Sequence, residues 1–368
     1  MLDQATVRRV LERALSTGAD FAEIFAEDRE NTNLSYVDKK VDSINQGRVY
    51  GLGLRIIRGF EVIYAYTSDL SEKNLLDLAT RASQAFDGKA GQKTVEFKAV
   101  PEGKLLPIKT QPGSVPLKQK LALLERGYKA ALAYDAIISQ AKVDYLDHTQ
   151  HVLIANSEGL WTEDTRTRTR YMVSSVASVN DGMQTGYYGP GAGQGFEFFE
   201  NHDVEEIARE ASRIAKTMAH ADYAPAGAMP VIMDNGFGGV LFHEACGHGL
   251  EAAFVSKKIS VYTDKLGQQV ASSLVTAIDD GTIPNGWGTL NIDDEGTPTR
   301  RNILIENGVL KSYLVDRLNG KRMGMASTGS SRRESYRYAP TSRMNNTFID
   351  AGSSTREEII KATPYGLY

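Results

Sequence analysis

The segment that decides the fold and chemistry of the chain is Gly238-Gly239-Val240-Leu241-Phe242-His243-Glu244-Ala245-Cys246-Gly247-His248-Gly249-Leu250-Glu251. It contains two of the six histidines of the 368-residue chain, a glutamate between them and the single cysteine. On an ideal α-helix, residues five apart such as His243 and His248 point about 140° away from each other. A π-bulge, which bonds residue i to i+5, or a helix break at Gly247 would bring both imidazoles to one side. The sequence therefore predicts an irregular helix here.

His243, Glu244 and His248 are the residue types that a hydrolytic zinc site requires. Imidazole nitrogens bind zinc, and a carboxylate beside the metal can take a proton from water. The same residues also fit solvent-facing side chains, with Glu244 favoured near a helix N-terminus by the macrodipole. Cys246 projects between the histidines, so packing is its favoured role, and it would replace a ligand only in a distorted helix. A role as nucleophile would need an orienting partner that the sequence does not identify.

Turns and a change of composition surround this segment. Residues 224–227, Ala-Pro-Ala-Gly, mark a boundary, so we expect an N-terminal domain at 1–222 and a second domain at 223–368. Residues 230–233 predict a short buried strand that leads through a turn at 234–236 into the helix. Frequent turns and alternating apolar residues predict mainly β structure over 259–316, with a hairpin over Asn307-Gly308.

The first 222 residues predict an antiparallel sheet flanked by helices. Helical spacing marks 3–16, 117–132 and 204–220, and β-type runs include 21–27, 32–37, 49–66 and 161–179. In the segment 87–116, where Gly91 and Pro101 are among the breakers, we expect a long loop with at most a short strand at 95–97. Residues 182–195 carry six glycines, which predict a mobile surface loop. The predicted class is α+β, with a mainly β C-terminal domain that carries the histidine helix.

Composition narrows the class of protein. The net charge is −4 and no basic stripe or polybasic arm is present, so we predict no nucleic-acid partner and no membrane partner. The N-terminus lacks the layout of a signal peptide, and no apolar run approaches the ~18 residues that a bilayer span needs. One cysteine cannot form an internal disulfide. We therefore predict a cytoplasmic protein.

Five separated blocks of the sequence resemble the TldD/PmbA family, the modulator-of-gyrase family of metallopeptidases, on its TldD side. The blocks are His243 to Glu251, Asp279 to Thr282, Asp293 to Pro298, Leu304 to Leu310, and Thr328 to Tyr336. The resemblance implies a zinc peptidase, with His243 and His248 as zinc ligands and Glu244 as general base. It also implies a dimer, formed with a TldE/PmbA-like subunit or with a second copy of the chain. The implied substrates are small or unfolded peptides, including peptide precursors and antitoxins.

The resemblance also implies a third zinc ligand, a cysteine near the C-terminus of the family. No cysteine follows Cys246 here, and Ala252 and Ala253 stand where the family commonly has glycine and aspartate. We therefore expect a chain that stops before this ligand. Catalytic zinc normally keeps three protein ligands plus water, so a missing ligand should weaken metal binding.

The sequence thus supports two functional hypotheses. The first is metal-assisted peptide hydrolysis, in which Arg332, Arg333 and Tyr336 bind a peptide carboxylate or stabilise the oxyanion of the transition state. The same three residues also fit a subunit contact or a salt-bridged loop. The alternative is a non-catalytic or truncated family member that acts as a peptide- or partner-binding subunit. The acidic net charge argues against direct action on DNA.

Overall fold

The computed structural model describes residues 2–88, 93–100, 103, 107–179 and 182–368. Within them, eight strands form one large sheet: β1 Phe21–Val37, β2 Lys40–Arg58, β3 Glu61–Thr67, β4 Lys98–Val100, β5 Ile138–Asn156, β6 Leu160–Val179, β7 Gly182–Tyr188 and β8 Gly191–Ala192. The strand order is β3-β2-β1-β5-β6-β4, with β7 and β8 also paired to β6. All neighbours are antiparallel except β4 and β6. The predicted antiparallel sheet is therefore present.

Alternation along the strands gives this sheet two different faces. Side chains of successive strand residues point to opposite sides. On one side, residues such as Ile24, Leu54 and Leu153 form an apolar core with the N-terminal helices. On the other side lie Glu23, Glu27 and Arg166, which are buried and charged. One face of the sheet thus packs in a hydrophobic core, and the other presents charged side chains for polar contacts.

The helices of the first half cover the apolar face. They are α1 Gln4–Ala14, α2 Glu72–Ser83, α3 Leu117–Leu132, α4 Phe198–Asn201 and α5 Val204–His220. Asp3 caps α1 by accepting a hydrogen bond of 2.9 Å from the Thr6 amide, which satisfies a free N–H of the first turn. A second core, which includes Leu124, Tyr171 and Ala208, joins α3 and α5 to β5 and β6.

The second half packs short elements against the charged face. Its strands are β9 Ala277–Asp280, β10 Arg301–Glu306, β11 Val309–Leu310, β12 Ser331–Arg332, β13 Thr341–Ser342 and β14 Thr347–Ile349. Its helices are α6 Gly239–Phe242, α7 Ala252–Val255, α8 Arg317–Met323 and α9 Arg356–Ala362. Four strands form a sheet in the order β11-β10-β9-β14, and β12 pairs with β13. This confirms the α+β class.

Buried ion pairs join the two halves. Arg55 donates from Nη2 to Glu23 at 2.8 Å and to Glu295 at 2.5 Å, and all three side chains are 1% exposed. Arg166 pairs with Asp164 at 3.1 Å and with Asp294 at 2.6 Å. We call these six residues, together with Arg333, the interface ion network.

Several local predictions are wrong. The glycine-rich segment 182–195 contains β7 and β8, because Gly186 lets β7 approach α5 so closely that a Cβ would overlap the backbone of Ala211 and Ala215. Residues 230–233 are not buried: Val231 is 60% exposed and bridges only to Leu367. The short strand predicted at 95–97 lies instead at Lys98–Val100. The Gly91 and Pro101 breakers lie outside the described residues.

The predicted β structure over 259–316 is confined to β9, β10 and β11. Acidic side chains hold turns in the remainder, as where Asp293 Oδ1 accepts from the amides of Glu295 and Thr297, both at 2.9 Å. The hairpin over Asn307-Gly308 is confirmed, with Glu306 paired to Val309 and positive φ values of 48° and 79° at the turn. None of the helices formed by the described residues has the length and apolar character that crossing a bilayer requires.

Candidate metal centre

The backbone around the two central histidines departs from an α-helix. After α6, residues His243–Gly247 form a π-helical turn, in which the His248 amide donates to the His243 carbonyl, and His248–Leu250 form a 3-10 turn. This confirms the predicted irregular helix, and of the two predicted forms the structure has the π-bulge and not a break at Gly247. As a consequence, both imidazoles lie on one side, with ring centroids 4.9 Å apart and planes at 89°.

Packing holds this irregular turn in place. Phe242 and Leu250 are buried at its two ends in the core of the second half. The Leu314 amide donates to Leu250 O at 2.9 Å, and the Ala252 amide donates to Leu314 O at 2.8 Å. At Gly247 a Cβ would overlap Met344 Sδ, so a larger residue there would require the buried Met344 side chain to move. The turn is therefore fixed from both ends and from one side.

The turn gathers three metal-ligating side chains. His243, Glu244 and His248 each place one donor atom within 4.8 Å of the other two. Glu244 Oε2 lies 3.7 Å from His248 Nε2, and the Glu244 side chain is 65% exposed. Imidazole nitrogens with a carboxylate suit zinc and other first-row transition metals. The donor set thus fits a metal ion.

A fourth residue, Glu251, orients one of the imidazoles. Its carboxylate is fully buried, with Oε1 3.0 Å from His248 Nδ1 and Oε2 2.8 Å from Arg343 Nη1. Because a carboxylate engages Nδ1, the ring proton belongs there, and Nε2 keeps the lone pair that a metal needs. Sequence reasoning assigned no role to Glu251. The available signal was its position three residues after His248, which is one turn along a helix.

Local burial favours the metal-binding form of His243. Burial lowers its pKa, with a further contribution from His248 and an opposing one from Glu244. A neutral imidazole is the form that ligates a metal. Burial also raises the pKa of Glu251, against the influence of Arg343 and His248.

Cys246 lies on a different side of the turn. It is half-buried at the edge of the core and is not part of the three-residue donor group found among the described residues. Burial and a hydrogen bond with the Cys246 thiol raise the pKa of Tyr262 to about 12. This placement agrees with a packing role.

Beside the histidines lies a cleft of about 650 Å³. We call it the arginine cleft, because six arginines line it: Arg29, Arg166, Arg168, Arg332, Arg333 and Arg343. It connects to the candidate metal centre through Arg343, which holds Glu251. Arg332 also acts on the centre, since its charge contributes to lowering the pKa of His243.

The three residues predicted to bind substrate are separated by the structure. Arg332 lines the arginine cleft on β12. Arg333 also lines it, but its guanidinium pairs with Glu23 at 2.9 Å and its side chain is 1% exposed. Tyr336 is 3% exposed and packs with Phe25 and Ile154, outside the residues that line the cleft. Substrate binding by these residues stays a prediction.

Comparison with known proteins gives the family. Three domain models of one family match this chain in order. They are PmbA/TldA metallopeptidase domain 1 at residues 22–86, the central domain at 110–219 and the C-terminal domain at 226–368. A metalloprotease TldD homolog of Buchnera aphidicola (strain APS) is 34% identical over 97% of this chain and 76% of its own length. The chain belongs to the PmbA/TldD metallopeptidase family. A TldD homolog of Haemophilus influenzae is 36% identical over 86% of this chain and 67% of that protein.

Solved structures of the PmbA/TldD family share the fold. A Thermotoga maritima protein, named as a candidate modulator of a DNA gyrase, superposes with a TM-score of 0.78 at 22% identity, over 93% of this chain and 76% of that one. TldE from Thermococcus kodakarensis gives a TM-score of 0.73 at 20% identity, over 97% and 79% of the two chains. The chain thus belongs to a metallopeptidase family, and the relatives named above are called metalloproteases.

Proposed function

We propose that the chain is a zinc-dependent peptidase that hydrolyses small or unfolded peptides. The observation that carries this proposal is the π-helical turn, which brings donor atoms of His243, Glu244 and His248 within 4.8 Å of one another. The naming of the relatives as metalloproteases supports the class of reaction.

The two imidazoles would hold the metal. His248 would use Nε2, because Glu251 engages its Nδ1 at 3.0 Å. His243 supplies the second nitrogen from the same side of the turn. Bound there, zinc supplies Lewis acidity, which polarises a scissile carbonyl and brings the pKa of water towards ~7.

Glu244 would be the general base. Its carboxylate is largely exposed, lies 3.7 Å from His248 Nε2 and accepts no hydrogen bond from the residues that the structure describes. It is therefore free to take a proton from the attacking water and to pass that proton to the leaving amine. A carboxylate already engaged by an arginine, such as Glu251, is less suited to this work.

The proposed substrate range, partner and location follow from the family and from the sequence. Small or unfolded peptides, including peptide precursors and antitoxins, follow from the family resemblance and from the open position of Glu244. The likeness to TldE supports a dimer with a TldE/PmbA-like subunit, and self-pairing is the other form proposed. The cytoplasm is the proposed location, on the sequence features given above.

Metal content and hydrolysis test the proposal together. We expect stoichiometric zinc in the purified protein by mass spectrometry, and cleavage of unstructured peptides. Glu244→Gln should keep the zinc and lower kcat by about 10²–10⁴-fold, the usual contribution of a general base. Glu163→Gln, an exposed carboxylate on β6, is the matched control and should behave as wild type.

Two outcomes would overturn parts of the proposal. Stoichiometric zinc with activity that survives Glu244→Gln would remove Glu244 as the base. Protein that takes up no zinc and cleaves no peptide, but still binds peptide or a second subunit, would favour the alternative of a non-catalytic binding subunit.

A further inference from the structure

The floor of the arginine cleft is built by cross-strand neighbours of the large sheet. In one row, Arg29 of β1 faces Gln150 of β5, which faces Arg166 of β6. In the next row, His148 of β5 faces Arg168 of β6. Residues two apart on a strand share a face, so these side chains all project to the side that bears the second half of the chain. Arg332 and Arg343 enter the cleft from β12 and from the segment after β13.

Half of the six arginines have their charge satisfied by carboxylates. Arg166 pairs with Asp164 and Asp294 at 3.1 and 2.6 Å. Arg333 pairs with Glu23, and Arg343 with Glu251, at 2.9 and 2.8 Å. These three arginines need no ligand.

Among the described residues, Arg332 and Arg168 have no ion pair with a carboxylate, and Arg29 has only a long one, to Glu27. Arg332 makes no side-chain hydrogen bond and no ion pair with any residue that the structure describes. Arg168 donates only to the backbone carbonyls of Trp287 and Thr289, at 2.7 and 3.4 Å. Arg29 is 3.8 Å from Glu27, and its buried Nε has no hydrogen-bond partner. The cleft therefore contains positive charge and free N–H groups that the described residues do not neutralise.

Burial, together with neighbouring arginine charges, lowers the pKa of three groups in the cleft. Burial and the charges of Arg166 and Arg332 lower the pKa of Arg168 to about 10. Burial and the charges of Arg168 and Arg29 lower the pKa of His148 to about 3. Burial lowers the pKa of Arg332 as well, although Asp294 and Asp279 oppose it. An anion entering the cleft would relieve the repulsion among these groups.

The type of anion follows from the shape of its donors. Guanidinium groups present planar pairs of N–H donors, which match the two oxygens of a carboxylate. A volume of about 650 Å³ lies within the range of ligand clefts and admits more than a single small ion. Arg343 lines the cleft and also contacts Glu251, which engages His248, so one side chain is shared by the cleft and the surroundings of the candidate metal centre.

We propose that the arginine cleft binds a carboxylate of the peptide substrate, with Arg332 and Arg168 as its principal donors. The carboxylate is either the free C-terminus or an acidic side chain near the scissile bond. This inference rests on the proposed peptidase function and deepens it, since it gives the site a preference for peptides that carry the recognised carboxylate.

Peptide binding tests the proposal without turnover. Four fluorescein-labelled heptapeptides of one sequence would carry either two glutamates or two glutamines, each with a free or an amidated C-terminus. Their Kd values would be measured by fluorescence anisotropy on the Glu244→Gln protein, with mass spectrometry to check that the peptides stay intact. We expect loss of the recognised carboxylate to raise Kd about tenfold or more. Amidation alone would identify the C-terminus, and the glutamine exchange alone would identify the side chain.

Variants of the cleft give the second arm. Adding Arg332→Gln should raise Kd for the recognised peptide about tenfold and remove the difference in Kd between peptides with and without the recognised carboxylate. Arg168→Gln is the second variant, for use if Arg332→Gln does not fold. Arg213→Gln, which breaks an exposed pair with Glu210 on α5 outside the cleft, is the matched control and should leave Kd unchanged.

Equal Kd values for all four peptides would overturn the proposal, as would an unchanged preference in folded Arg332→Gln protein. If neither cleft variant folds, the comparison of the four peptides on the Glu244→Gln protein still tests the proposal. Failure of the proposed function looks different: zinc and hydrolysis would be absent while carboxylate-dependent binding persists. Conversely, Glu244-dependent hydrolysis with equal affinity for all four peptides would remove only the cleft assignment.

Discussion

Arg332 and Arg333 are adjacent in the chain and have opposite surroundings. Arg333 belongs to the interface ion network: it pairs with Glu23 at 2.9 Å, donates to Asp294 O at 2.7 Å and stacks over the Phe25 ring at 4.2 Å. Arg332 faces the arginine cleft and has no hydrogen bond or ion pair among the described residues. A buried charge with partners holds the fold, whereas a half-buried charge without partners is available to a ligand.

The same contrast separates the carboxylates of the two regions. Glu23 and Glu295 are buried and both pair with Arg55, so their role is to join the two halves of the chain. Glu244 is 65% exposed and engages only the neighbouring histidine. Network residues should therefore affect stability, and residues of the centre and the cleft should affect binding and catalysis.

The largest effect is expected from breaking the interface ion network. Arg55→Met should lower the free energy of unfolding by about 3–5 kcal/mol, because it leaves Glu23 and Glu295 buried without their shared guanidinium. Urea unfolding followed by tryptophan fluorescence measures this change. The triple variant Arg55→Met, Glu23→Gln, Glu295→Gln should recover part of the loss, because the buried charges are removed together. A loss below about 1 kcal/mol in Arg55→Met would contradict the structural role of the network.

A smaller effect on the metal centre is expected from the residue behind it. Glu251→Gln should weaken zinc binding about 10–100-fold, since the carboxylate that fixes the His248 ring loses its charge. Competition with a chromophoric chelator measures the affinity, and Glu163→Gln is the control. If zinc affinity is unchanged while stability falls, Glu251 belongs with the network rather than with the centre.

The sequence predicted the centre better than it predicted the cleft, for a physical reason. His243 and His248 are close in sequence, so their spacing alone shows that binding one metal ion requires a π-bulge or a helix break. The structure contains the π-bulge. Arg332 and Arg333 cannot be told apart in this way. Arg332 is the last residue of β12 and Arg333 follows it, and the partner of Arg333 lies 310 residues earlier in the chain.

Long-range packing also explains the errors in the fold. The glycines of β7 predict a loop because glycine is flexible, but at Gly186 the missing side chain is what lets α5 pack against the strand. The antiparallel sheet and its helices were predictable, since their apolar periodicity is local and each strand alternates between a core face and a polar face. The alternation of apolar and polar residues along the strands does not predict that the second half of the chain covers the polar face.

A third prediction uses the pH dependence of stability to probe the arginine cleft, which His148 lines. His148 has a pKa of about 3 in the fold, below its ordinary 6.5, because of burial and the charges of Arg168 and Arg29. Between these values the unfolded chain binds a proton that the folded chain does not, so the free energy of unfolding falls as pH falls below 6.5. His148→Gln should flatten this slope by on the order of 1 kcal/mol per pH unit between pH 6.5 and 5. Urea unfolding at several pH values measures it, and a slope equal to that of wild type would contradict the charge excess in the cleft.

The smallest effect is expected for an exposed charge pair that neither joins the halves of the chain nor lies at the metal centre or the arginine cleft. Arg213 and Glu210 form a two-bonded pair on α5 at 2.7 and 2.8 Å, with side chains 53% and 36% exposed. Solvent screens such a pair, so Arg213→Gln should change the free energy of unfolding by about 0.5 kcal/mol or less. Peptide affinity and zinc affinity should not change. The geometry of this pair is as good as that of Arg55 with Glu23, and only burial differs. If Arg213→Gln destabilised the protein as much as Arg55→Met, burial would not be what separates the structural charges from the others, and the contrast between Arg332 and Arg333 would lose its physical basis.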